Sequence, residues 1–183
     1  VLGSARFDVY RNLPKVNSRQ LIIFAGSSMP KDDETILRLM DQVRADTNSQ
    51  TSSRQLSWRY RPHPVPQHSV PTFVESFPNF EFTNRSNQIG ENRWPELTDS
   101  VVELSNTRVA ICMPTSYILE ALVCEVPVII PVIKEMVGLT SSKSLMDSLA
   151  HLRGIEKLPG VFVANSPSEF KDQLSKLLEE DLR

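Results

Sequence analysis

Apolar residues in this chain fall into short runs separated by helical patterns, and the two alternate regularly from Leu21 onward. Leu21-Ile-Ile-Phe-Ala25 is an unbroken apolar run that ends in Gly26-Ser27-Ser28. Such a run suits a strand covered on both faces. Pro30 and the acidic Asp32-Asp33-Glu34 then predict a helix start, because proline fits the first turn and carboxylates favour its positive end. Ile36, Leu37, Leu39, Met40 and Val43 continue at helical spacing. Asn48 to Arg54 is polar and reads as a surface loop, and Leu56-Ser-Trp-Arg-Tyr60 alternates as a strand does. The following Arg61-Pro62-His63-Pro64-Val65-Pro66 carries three prolines, which forbid both helix and central strand. Phe80-Glu-Phe82 predicts a short strand, Asn84 to Asn92 a loop, and Glu96 to Leu104 a helix with Leu97, Val101 and Leu104 on one side.

The densest apolar region is Arg108 to Pro131. Val109 to Cys112 predicts a buried strand, Pro114, Thr115 and Ser116 a polar corner with a capped helix start, and Pro127 to Pro131 another buried strand. Between them Ile118, Leu119, Ala121, Leu122, Val123 and Cys124 surround a helix with apolar side chains. Farther on, Ser144 to Leu152 reads as helix, Val161-Phe-Val163 as strand, and Ser166 to Leu178 as an amphipathic helix on Phe170, Leu174, Leu177 and Leu178. Strands alternating with helices predict an α/β fold, a Rossmann-like parallel sheet with helices on both faces. Residues 1–18 read as an irregular interdomain segment and 19–183 as the Rossmann-like domain.

Composition narrows the function. At 183 residues, 40% hydrophobic and 23% charged, the chain can bury a core of its own. A net charge of −2 gives no general attraction to nucleic acid. No apolar run reaches the length of a membrane span, so no transmembrane segment is expected, while peripheral membrane association stays open. Cys112 and Cys124 read as small core hydrophobes rather than a disulfide or metal pair, which fits a reducing, cytoplasmic setting. With 6 glycines and neither G-x-G-x-x-G nor G-x-x-x-x-G-K-[ST], a glycine-cradled NAD or ATP site is not expected. His63 and His68 lack flanking acids or cysteines, so no metal site is expected either.

Four clusters could carry chemistry. Glu120 is out of place in its apolar helix, since a carboxylate is rarely buried without a partner. It lies one turn beyond Ser116, with Thr115 at the helix start, where a parallel strand hands over to a helix. Free amides there could hold an anion, and the carboxylate could accept hydrogen bonds from vicinal sugar hydroxyls. The plainer alternative makes Thr115 or Ser116 a cap and pairs Glu120 with a core arginine. Arg59, Arg61 and His63 end a strand and suit a diphosphate, or else form a solvated edge. Gly26-Ser27-Ser28 with Lys31 is a small-residue turn that a ligand could approach, or an ordinary strand-to-helix turn. Thr140-Ser141-Ser142-Lys143 reads as a helix cap rather than a phosphate loop.

Taken in order, R-P-H-P (Arg61 to Pro64), T-S-Y-I-L-E-A (Thr115 to Ala121) and V-P-V-I-I-P (Val126 to Pro131) resemble the C-terminal half of GT-B glycosyltransferases. Bacterial surface-polysaccharide enzymes, CDP-glycerol glycerophosphotransferases and UDP-N-acetylglucosamine 2-epimerases are the nearest in pattern. Leu2 to Asp8, L-G-S-A-R-F-D, is similar to the segment entering the second domain in that group. The resemblance implies a domain that binds a nucleotide-sugar donor, opposite an N-terminal acceptor-binding domain that lies outside this chain. It implies Glu120 on the donor ribose, Thr115 and Ser116 on the phosphates, His63 near the diphosphate as the catalytic candidate, and Gly26 and Ser27 along the donor cleft. Charge on the leaving diphosphate would be met by Arg61, His63 or Lys31 together with helix amides. No cofactor is implied, the nucleotide-sugar being substrate, and the isolated chain is expected to turn over little. Pro114-Thr115-Ser116 replaces the epimerases' glycine-rich corner, which disfavours half of a UDP-sugar 2-epimerase. The remaining alternative is a non-enzymatic Rossmann-like interaction module.

Overall fold

Six strands, all parallel, form one sheet in the order β3-β2-β1-β4-β5-β6 in the computed structural model, which describes residues 8, 10, 18–27, 30–50, 56–63, 72–83, 97–134, 136, 146–147 and 149–179. The strands are β1 (Leu21–Ala25), β2 (Ser57–Arg61), β3 (Glu81–Phe82), β4 (Thr107–Cys112), β5 (Val128–Pro131) and β6 (Val161–Ala164). The helices α1 (Pro30–Gln50), α2 (Leu97–Ser105), α3 (Tyr117–Val123) and α4 (Pro167–Glu179) accompany them. This is the doubly wound, Rossmann-like α/β arrangement, in which the strand order reverses between β1 and β4.

Side-chain alternation divides the core into two layers. Ile22, Phe24, Val109, Ile111 and Met113 face α1 and α4, joined by Phe170, Leu174 and Leu178. Leu21, Ile23, Ala25, Ala110 and Cys112 face α2 and α3, joined by Val101, Leu104, Ile118 and Ala121. Successive strand residues point to opposite faces, so a strand buried on both must be apolar throughout, as β1 is. The β1–β4 register slips between Leu21 and Ile22, whose partners are Thr107 and Val109. The skipped residue, Arg108, donates from Nη2 to the carbonyls of Leu178 (2.7 Å) and Leu177 (3.5 Å), placing a cation at the negative end of α4. Ser166 and Glu169 cap the other end: the hydroxyl accepts from the Glu169 amide (3.1 Å), and the carboxylate accepts from the Asn165 amide (2.6 Å).

Several boundaries differ from expectation. Helix α1 runs to Gln50, taking in three residues read as loop, and the Thr47 hydroxyl bonds back to the Val43 carbonyl (2.8 Å) in its last turns. Strand β2 extends to Arg61, putting Arg59 and Arg61 on the same strand face. The expected helix at Ser144 to Leu152 is helical at Met146 and Asp147, and residues 149–154 form turns that lead through left-handed Gly154 into a short 3-10 helix, Ile155–Lys157. The loops at Asn84 to Asn92 and residues 51–54, the Leu2 to Phe7 part of the opening motif, His68 and the Thr140-to-Lys143 cluster lie outside the described residues. Among the described residues no helix is long and apolar enough to cross a membrane.

Candidate functional site

The candidate residues come from segments following β1, β2 and β4, at the carboxyl edge where the strand order reverses. In open parallel sheets that edge is where ligands bind, because the adjoining loops diverge to opposite faces. Ala25, Arg61 and Cys112 form one row across it, since Ala25 pairs with Arg61 on one side and Cys112 on the other.

Glu120 sits in the first turn of α3 and is 3% exposed. Its Oε2 accepts a hydrogen bond of 2.9 Å from the hydroxyl of Tyr10, which is itself buried in the layer beneath α2 and α3. A neutral phenol thus satisfies part of this carboxylate, and its charge acts on Arg61 and the Cys112 thiol. Thr115, at the β4–α3 corner, keeps its Oγ1 shielded from solvent with no hydrogen-bond partner among the described residues. A shielded hydroxyl of that kind is uncommon, and a bound water, an ion or a ligand would satisfy it. Ser116 stands exposed beside it. The expected side-chain cap is corrected here: Ser116 has helical angles (φ −62, ψ −15) and makes no capping bond. Backbone contacts start the helix, with the Ile118 amide on the Thr115 carbonyl and the Leu119 amide on the Ser116 carbonyl.

Arg61, expected at the donor phosphates, has other partners. It donates to Glu103 of α2 (2.5 Å) and to the Ser100 hydroxyl (3.2 Å), and its guanidinium lies 4.4 Å from the centre of the Tyr117 ring. The Tyr117 hydroxyl donates to the same Glu103 oxygen (3.1 Å). Arg59 bridges Glu103 (3.3 Å) and Glu81 (2.6 Å). Burial opposes the Arg61 charge, but Tyr117, Glu103 and Glu120 favour it, and its pKa ends above the ordinary value. The cation is therefore committed to the layer under α2, because two arginines two residues apart on one strand face need an acid from the helix covering them.

Gly26 and Ser27, expected along the donor cleft, are turned onto Asp33. The Ser27 amide donates to Asp33 Oδ1 (2.8 Å), the Ser27 hydroxyl to the same atom (3.0 Å), and the Tyr60 hydroxyl to Oδ2 (2.6 Å). A Cβ on Gly26 would overlap Asp33 Oδ2 and come within 2.7 Å of Tyr60 Cε2, so only glycine fits. Burial lifts the Asp33 pKa from 3.8 to about 6, against the hydrogen bonds from Tyr60 and Ser27, and the Asp32 charge lifts it further. This turn is closed by a carboxylate from α1, which takes the Ser27 amide and hydroxyl that an anion would otherwise use. Lys31 is exposed on the first turn of α1. His63 follows β2 at the same edge, half-buried, with Nδ1 shielded from solvent.

Cys112 and Cys124 are buried free thiols, and burial raises both, Cys124 to about 11. Neither is a nucleophile in that state. Among the described residues no group of three or more His, Cys, Asp or Glu side chains is placed to hold a metal ion.

Tyr10, Asp33, Tyr60, Glu103 and Tyr117 join this edge without being marked for it by the sequence pattern. The alternation of Arg59 and Arg61 on one strand was the available signal for Glu103. Tyr10 left none, being one aromatic in an irregular polar stretch. No protein-family model matches the chain, and no curated protein matches it.

Proposed function

We propose that this chain is the donor-binding half of a GT-B glycosyltransferase that uses a nucleotide-sugar in surface-polysaccharide synthesis. The observation that carries the reading is the Glu120 carboxylate, 3% exposed on the helix that leaves the carboxyl edge next to the strand-order reversal. A buried carboxylate there is suited to the vicinal hydroxyls of a ribose, which donate hydrogen bonds that a neutral acceptor would hold less tightly. Thr115 Oγ1, buried with no hydrogen-bond partner among the described residues, supports a ligand phosphate at the same corner. Lys31 and His63 supply the cationic and donor groups for the diphosphate, a part Arg61 is too engaged with Glu103 to share. Activation of the acceptor belongs to the opposite domain, so this chain alone binds donor and turns over little.

Titration of the chain with UDP, CDP and GDP, followed by thermal melting, tests the proposal. One of them should raise the melting temperature, and Glu120→Gln should weaken that nucleotide roughly 10- to 100-fold, the usual worth of a hydrogen bond to a charged group. Glutamine keeps the shape and can still accept from Tyr10, so a loss of binding reports the charge. The internal partners of Arg61 and Ser27 favour a second reading, a non-enzymatic interaction module. Absence of any shift at millimolar nucleotide would select it.

A further inference from the structure

We infer that Tyr10 is a positioning residue, which aims the Glu120 carboxylate at the ligand by holding one of its oxygens. This deepens the reading of Glu120 as a ribose ligand and rests on it. Tyr10 reaches the site from 110 residues earlier in the chain and is 2% exposed, packed in the same apolar layer as Ile23, Cys112 and Ile118. So buried a ring is a fixed part of the core rather than a removable cover. Its hydroxyl lies 2.9 Å from Glu120 Oε2.

A glutamate side chain has three rotatable bonds and loses freedom when it engages a ligand. Arg61 lies close enough for the Glu120 charge to act on it, so a carboxylate released from the phenol has a competing attraction toward the α2 layer. The phenol is one of the contacts that hold the carboxylate, and it resists that pull before the ligand arrives. Its effect should therefore be felt only by ligands that use the carboxylate.

The experiment compares UDP, CDP and GDP with their 2′,3′-dideoxy counterparts, which lack the ribose hydroxyls, on the intact chain and on Tyr10→Phe. Phe keeps the ring and removes the donor. For the nucleotide that binds the wild type, Tyr10→Phe should raise Kd roughly five- to tenfold, in line with the cost of ordering one flexible side chain. The dideoxy form should bind both proteins with the same, weaker affinity. Tyr10→4-aminophenylalanine returns a donor to the ring and should restore the preference for ribonucleotide, which also serves if the Phe variant does not fold. Equal weakening of both nucleotide forms, no change in either, tighter binding by Tyr10→Phe, or failure of the amino variant to prefer ribonucleotide overturns the inference while leaving the donor-binding reading intact. A wild type that binds none of the nucleotides overturns both.

Discussion

Glu103→Ala is expected to destabilise the protein by about 3–5 kcal/mol, the usual cost of removing one partner from a buried ion pair. Glu103 is 8% exposed and Arg61 12%, so little water is available to resolvate the guanidinium left behind. The same carboxylate also receives Arg59 and the Tyr117 hydroxyl, so three donors lose their acceptor together. In a chain of this size the melting temperature should fall by roughly 10 °C. Replacing both members, Arg61→Met with Glu103→Leu, should recover most of that loss, because the buried charge is then gone and Arg59 keeps Glu81. Chemical denaturation of the three proteins decides the matter. A cost below about 1 kcal/mol for Glu103→Ala would put the cluster in the class of solvent-screened surface pairs.

The second large effect depends on pH. Asp33 has its pKa raised from 3.8 to about 6, chiefly by burial, so the folded state holds its proton where the unfolded chain has released it. This contribution to stability is fully present below pH 3.8 and is lost as pH rises through 6, amounting to about 3 kcal/mol at 1.36 kcal/mol per pKa unit. Asp33→Asn cannot ionise and removes the effect. Unfolding free energies of wild type and variant, measured at a pH below 4 and again above 7, should therefore separate with rising pH, the wild type losing ground to the variant by about 3 kcal/mol. A difference that stays constant across that range would mean that Asp33 keeps an ordinary acidity.

The fold was legible because β1, β5 and the Val109-to-Cys112 part of β4 are apolar at every position, as a doubly covered parallel sheet demands. Glu120 was legible for the same reason: a lone carboxylate among Ile118, Leu119, Ala121 and Leu122 declares itself. What could not be read was the set of partners. Periodicity puts Arg59 and Arg61 on one face but does not say which helix will cover that face, and Glu103 lies 42 residues beyond Arg61. Asp33 was recognised as an acid suited to a helix start, yet the folding of Gly26 and Ser27 back onto it depends on Tyr60 from a neighbouring strand. Arg108 is set by a slip in register, a property of two strands rather than of either sequence. Long-range satisfaction of polar groups is a tertiary event, and the site consists mostly of such events.

A crystal structure of the chain with its preferred nucleoside diphosphate tests the proposed contact between the Glu120 carboxylate and the hydroxyls of a donor ribose. The expected result is a ribose with a hydroxyl about 2.6–3.0 Å from a Glu120 oxygen, over the carboxyl edge between β1 and β4, and Tyr10 still on the carboxylate. A nucleotide bound elsewhere, with Glu120 held by Tyr10 and its own core and no ligand atom near it, would overturn the assignment of Glu120 as a ribose ligand.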